Sequence, residues 1–281
     1  MKPYHTVAIV GVGLIGGSIG LALRKRKLAR HVVGIGRRAS SLMAASRCGA
    51  VTRTTRNLSQ GVADAQLVVV CTPVDSVASA VLAAANGAPS GALITDAGST
   101  KLSIVEAVDG RLPRGARFVG SHPLAGGEQS GPAAARADLF EGRQVIVTPT
   151  AAGKLSDTRA VSAFWKALGA RVLTMSPGEH DRVVAVTSHL PHLVAAALAA
   201  ATPRELLKLT AAGWHDTTRV ASGDVRLWVE ILRNNRGHVL KALAEFGKLM
   251  DSWTAALESG DDQRLEQLLT EGKRNRDAVG N

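Results

Sequence analysis

Short apolar runs punctuate the first part of this chain, and helical stripes fill the rest. Val7–Val10 and Leu67–Cys71 are continuous apolar stretches rich in β-branched residues. Such runs are too short for helices and suit strands buried on both faces. His31–Ile35, Ala92–Thr95, Arg117–Gly120, Gln144–Thr148 and Ala170–Met175 are further strand candidates. Helical patterns fall between them at Ser18–Leu23, Ser41–Cys48, Ser76–Ala85, Leu102–Val108 and Thr158–Leu168. This alternation predicts an α/β fold with a doubly wound, mostly parallel sheet. Beyond Ser176-Pro177-Gly178 the period is helical throughout, over His180–Ala201 (interrupted by Pro191), Arg204–Ala211, Asp224–Phe246, Lys248–Ser259 and Asp262–Asp277. Two domains are therefore expected, 1–176 and an all-helical 177–281.

The first strand runs into Gly11, Gly13 and Gly16, on the spacing G-x-G-x-x-G, with a helix after it. In a strand–turn–helix the first glycine allows a tight turn, the second lets backbone approach a pyrophosphate, and the third lets helix and strand pack closely. Residues 1–176 thus read as a Rossmann-type dinucleotide-binding domain. Gly11, Gly13, Leu14, Ile15 and Gly16 are the expected phosphate turn, with Thr72 and Pro73 beside it after the third strand. In such domains an acidic residue about twenty positions on holds the ribose 2′-hydroxyl of NAD. Here that place is taken by Gly36, Arg37 and Arg38. Guanidinium groups favour a 2′-phosphate, so NADP is favoured over NAD; Arg37 and Arg38 stacking on adenine, or in solvent, is the alternative.

Composition narrows the ligands. Aromatics are only 3% of residues, so the core must be built from Ala, Val and Leu. The formal charge of +11 would suit nucleic acid, but the basic residues are scattered and aromatics for base stacking are scarce. Small anions fit that field better. The cysteines, Cys48 and Cys71, form no C-x-x-C. That fits a reducing compartment and argues against disulfides or structural zinc. The N-terminus enters the first strand directly, and the apolar run Leu193–Ala201 is too short for a bilayer. A cytoplasmic protein without membrane contact is expected.

Strand ends supply the candidate chemistry, since ligands of doubly wound sheets lie outside the carboxyl ends of the strands. Thr72, Ser99 and His122 each follow a predicted strand. His122 suits proton exchange with a substrate hydroxyl because imidazole titrates near neutrality; tying down its own loop is the other use. A second cluster holds His180, His189 and His192. His189 and His192 share a helix face at spacing three, for substrate contact, a buried structural role or, with a further donor, a metal; no H-E-x-x-H is present. A third cluster surrounds Gly213, Arg219 and Trp228. Arg219, followed by apolar residues, needs an anion: a substrate carboxylate, or Asp216 or Asp224.

Together, GVGLIGGS, DAGSTK (Asp96–Lys101), GSHPLAG (Gly120–Gly126), LFEGR (Leu139–Arg143), VTPT, SPGEHD (Ser176–Asp181), SHLPH (Ser188–His192) and the DTTRVA run resemble the prephenate and arogenate dehydrogenases, the TyrA family. The likeness covers nearly the whole chain in order, and GSHPLAG with SHLPH is its most specific part. It implies a dinucleotide-binding domain followed by an all-helical dimerisation domain, hence a homodimer, and oxidative decarboxylation of prephenate or arogenate in tyrosine biosynthesis. Carried over by motif, His122 accepts a hydrogen bond from the ring hydroxyl and Ser99 orients both. Arg219 grips a substrate carboxylate, and His192 lines the substrate pocket; His189, Gly213 and Trp228, from the clusters above, are further candidate substrate contacts. Glu128 and His180 match a pair that gates the pocket. Two places depart from the pattern: no acidic residue ends the second strand, and the glycine pair before D-x-T-R reads Ala212-Gly213. No regulatory ACT domain and no chorismate mutase segment is expected. Related two-domain β-hydroxyacid dehydrogenases rely on a lysine in the helical domain, and none occurs between Lys166 and Lys208. A dinucleotide-sensing protein without chemistry is the non-enzymatic alternative.

Overall fold

A computed structural model describes residues 2–280 except Arg114, Glu128 and Ser130. Its first compact unit runs to Asn235 and its second begins at Arg236. The first contains strands β1 (Tyr4–Val10), β2 (Ala29–Ile35), β3 (Arg53–Thr55), β4 (Leu67–Val70), β5 (Leu93–Asp96), β6 (Arg117–Pro123), β7 (Gln144–Pro149) and β8 (Arg171–Thr174). They form one sheet in the order 3-2-1-4-5-6-7-8. Helices α1 (Leu14–Lys25), α2 (Ala39–Arg47), α3 (Leu58–Val62), α4 (Val74–Gly87), α5 (Leu102–Val108) and α6 (Leu155–Ala167) connect the strands.

Both faces of the sheet are covered. Along β1, Val7 and Ile9 join one core cluster and Ala8 and Val10 the other, the two-residue alternation of a strand. All pairings are parallel except β6 with β7, where His122 faces Ile146. Among the described residues the connection between those two strands holds a short 3-10 turn at Pro132–Ala134 and no crossover helix, and a parallel return needs a crossover. β3 and α3 were not expected: the polar RTT of β3 has no apolar signature and pairs only along Val33–Ile35 of β2.

Three helices follow in the same unit, α7 (Pro177–Val184), α8 (Leu190–Ala201) and α9 (Ala212–Thr218), then α10 (Val225–Asn234). The interruption expected near Pro191 is a π turn at Ala185–His189, with Pro191 in the first turn of α8. There the missing amide costs no helical hydrogen bond. Pro177–Ala201 spans 25 residues and is by length and composition apolar enough to cross a membrane, a longer stretch than the run Leu193–Ala201. Its first turns, however, bury His180 and Asp181 in hydrogen bonds within the protein. The second unit is the helix pair α11 (Arg236–Ser259) and α12 (Asp262–Asp277). The continuous helix expected over Asp224–Phe246 instead breaks at Asn235, and α11 runs unbroken past Phe246.

Candidate active site

The sheet order reverses between β1 and β4, and that switch point builds the first wall of the site. Gly11 has φ +96°, and a Cβ there would lie 2.6 Å from the Cys71 carbonyl oxygen. A Cβ on Gly16 would collide with the Gly11 carbonyl, so α1 can pack against β1 only with glycine there. Gly13 opposes nothing within 4 Å, and no side chain caps α1. Its first amides are therefore open to an anion. Thr72 Oγ1, on the facing loop, is buried and has no partner among the described residues. The turn thus fits a dinucleotide.

A cavity of about 810 Å³ opens from this turn. Gly13–Ile15, Cys71–Val74, Ala97–Ser99, His122–Gly127, Thr187–His189 and parts of α10, including Trp228, line it. Its size suits a small molecule held with part of a cofactor.

His122 ends β6, and the strand is clamped just before it. Trp165 Nε1 donates to Ser121 Oγ at 2.9 Å, and Ser121 N donates to Asp96 Oδ1 at 3.1 Å. Asp96 also accepts from Gly98 N at 2.8 Å and pairs with the fully buried Lys101 ammonium. The loop after β5 and the end of β6 are thereby one hydrogen-bonded body. His122 is half-buried, and its Nδ1 lies 2.9 Å from His180 Nε2. His180 Nδ1 lies 2.7 Å from Asp181 Oδ1. Asp181 accepts from the amides of Lys101 at 2.8 Å and Leu102 at 3.0 Å, capping α5. Burial, helped by His180, Lys101 and His189, holds the His122 imidazole well below the usual histidine range. It is therefore neutral at physiological pH, able to accept a proton.

Behind the far wall, His192 stacks on Trp228 with ring centroids 3.6 Å apart and planes 13° apart. His189 Nδ1 accepts from Asn235 Nδ2 at 3.2 Å, and the same amide donates to the Asp181 carbonyl at 2.7 Å. Burial lowers the His189 imidazole to about 4.

Residues 19–174 match the family model for the prephenate dehydrogenase nucleotide-binding domain, and residues 176–271 match that for the prephenate dehydrogenase dimerization domain. The chain belongs to the prephenate dehydrogenase family. It is 35% identical to prephenate dehydrogenase of Bacillus subtilis (strain 168), over 98% of this chain and 76% of that one. Against cyclohexadienyl dehydrogenase of Zymomonas mobilis the identity is 32%, over 99% of this chain and 97% of that one. Prephenate dehydrogenase from A. aeolicus, solved with hydroxyphenyl propionate and NAD+, superposes at a TM-score of 0.90 with 31% identity, covering 98% of each chain.

Of the residues that the sequence singles out, Gly13, Leu14, Ile15, Thr72, Pro73, Ser99, His122, His189 and Trp228 line the cavity. Gly11 and Gly16 shape the turn from beneath. Arg37 and Arg38 are exposed just past β2, beside the switch point. His192 stands behind Trp228 and does not line the cavity. Arg219 is exposed at the start of the turn Arg219–Ser222, which leads to lining residues Gly223 and Asp224. Gly213 is exposed on α9, away from the lining. Glu128 lies outside the described residues. His180 is fully buried behind His122 and does not line the cavity. Among the described residues the ring partner of His122 is His180, at 2.9 Å. Sequence reasoning assigned no role to Asp96, Lys101 or Asp181. Their only signal was membership of the DAGSTK and SPGEHD runs.

Proposed function

We propose that this member of the family catalyses the NAD(P)-dependent oxidative decarboxylation of prephenate or arogenate, yielding 4-hydroxyphenylpyruvate or tyrosine. The observation that carries the reading is His122: a neutral imidazole at the cavity wall, its Nδ1 engaged from behind, with β4 and β5 between its strand and the strand of the dinucleotide turn. Gly11, Gly13 and Gly16 with the α1 amides hold the pyrophosphate, and Thr72 and Pro73 flank it. The dinucleotide, when bound, supplies the hydride acceptor. His122 accepts the hydrogen bond of the ring hydroxyl and draws its proton as the carbinol hydrogen departs. Loss of carbon dioxide returns an electron pair to the ring, so the oxygen ends as a phenol and recovers the proton lent to His122. Ser99, also at the cavity wall, donates to the same oxygen.

The substrate's carboxylates need cations, and Arg219 is assigned to one of them. Arg219→Ala is expected to raise the substrate KM by about tenfold or more with kcat little changed, since it removes binding common to ground and transition states. A rise in dinucleotide KM instead would misplace that carboxylate. Arg37 and Arg38, at the end of β2, support NADP over NAD. Arg37→Ala is expected to weaken NADP about tenfold, the scale of one charge-assisted contact, and NAD little. Equal weakening of both in titrations removes the 2′-phosphate assignment.

Residues 1–176 serve as the dinucleotide domain, and 177–281 as the helical domain through which two copies join in the cytoplasm; neither membrane nor nucleic acid is a partner. The deciding assay follows NADH or NADPH formation with prephenate or arogenate, in all four combinations. No turnover in any of them favours a dinucleotide-sensing protein.

A further inference from the structure

We infer that Asp181 is a positioning residue: acting through His180, it fixes which ring nitrogen of His122 carries hydrogen and leaves Nε2 bare for the substrate hydroxyl. The inference rests on the reading of His122 given above. It follows from the order of partners. Asp181 is ionised: burial pushes its carboxyl up, but hydrogen bonds from His180 and from the Leu102 and Lys101 amides outweigh it and hold it below the usual range. An ionised carboxylate only accepts, so His180 Nδ1, at 2.7 Å, must carry a hydrogen. His180 is fully buried, and burial favours its neutral form. A neutral imidazole with hydrogen on Nδ1 has its lone pair on Nε2. That nitrogen faces His122 Nδ1 at 2.9 Å, so His122 Nδ1 is the donor and His122 Nε2 is the free lone pair.

Without the carboxylate the relay has a second solution. His180 could carry its hydrogen on Nε2 and donate forward. His122 would then hold hydrogen on Nε2 and present a donor where the hydroxyl needs an acceptor. Asp181 is well placed to forbid this, because its oxygens are fixed by the α5 amides of Lys101 and Leu102. The same residue thus ties the histidine relay on α7 to the loop bearing Ser99. The other charged or titratable groups acting on these rings are Lys101 and Asp96 near β5 and His189 on the π turn.

Two-bond 1H–15N correlation spectra of the ligand-free, 15N-labelled protein read imidazole tautomers directly. His122 and His180 are assigned by their loss in His122→Asn and His180→Gln. Both rings are expected as Nδ1–H tautomers in the unmodified protein. In Asp181→Asn, His122 is expected to gain Nε2–H character, and kcat to fall about 10²-fold, the lower range of proton-transfer help. Substrate and dinucleotide KM should stay within about twofold. An Nε2–H tautomer at His122 in the unmodified protein overturns the inference. So does an Asp181→Asn enzyme with unchanged kcat, or with losses confined to KM or thermal stability. Should Asp181→Asn fail to fold, the spectrum of the unmodified protein decides alone. Inactivity of the unmodified protein with every substrate and cofactor pair would instead overturn the functional reading, leaving the spectrum as an independent test of the relay.

Discussion

His122→Asn is expected to lower kcat by at least about 10²-fold while leaving dinucleotide affinity nearly intact. The carboxamide keeps a polar group at the end of β6 but cannot take a proton. The dinucleotide is held elsewhere, by the turn over Gly11–Gly16, so its dissociation constant, read by fluorescence titration, should not move. The pH dependence gives a second readout. Burial, helped by His180, Lys101 and His189, holds the His122 imidazole well below its ordinary 6.5. The acid limb of kcat/KM should therefore lie below that value: as pH falls through the depressed pKa, Nε2 gains a proton and its lone pair is lost. The variant should lack this limb. An unchanged rate would remove His122 from the chemistry.

Lys101→Met should produce the largest loss of stability. Lys101 and Asp96 are both fully buried and paired. Removing one partner of such a pair leaves an uncompensated charge and costs about 3–5 kcal/mol. Two amides, Gly98 N and Ser121 N, still reach Asp96, which points to the lower end of that range. For a unit of this size the loss corresponds to a Tm decrease of about 10 °C. Adding Asp96→Asn to Lys101→Met should recover part of it, because the stranded charge is gone. Calorimetry showing an unchanged Tm for the single variant would mean that the pair does not hold the loop after β5 to β6.

Much of the fold was legible because its signals are local. The β1–turn–α1 unit is written in adjacent residues, and the buried strands announce themselves as apolar runs. The short β3 was invisible, since Arg53–Thr55 owes its extended form to pairing with β2 rather than to its own side chains. The break at Asn235 was invisible for a related reason: its side chain is drawn to the Asp181 carbonyl and to His189, 54 and 46 residues away.

The site divides in the same way. His122, Ser99 and the glycine turn could be named from the chain because strand ends and glycine spacing are sequence properties, and both place them on the cavity. Which nitrogen of His122 is free could not be. That depends on contacts across 58 residues to His180 and across 80 from Lys101 to Asp181. Local spacing determines which groups stand at the carboxyl edge of the sheet. Only the packing of α7 against α5 and β6 decides their partners, and hydrogen-bond geometry at about 3 Å, not order along the chain, sets what each group can do.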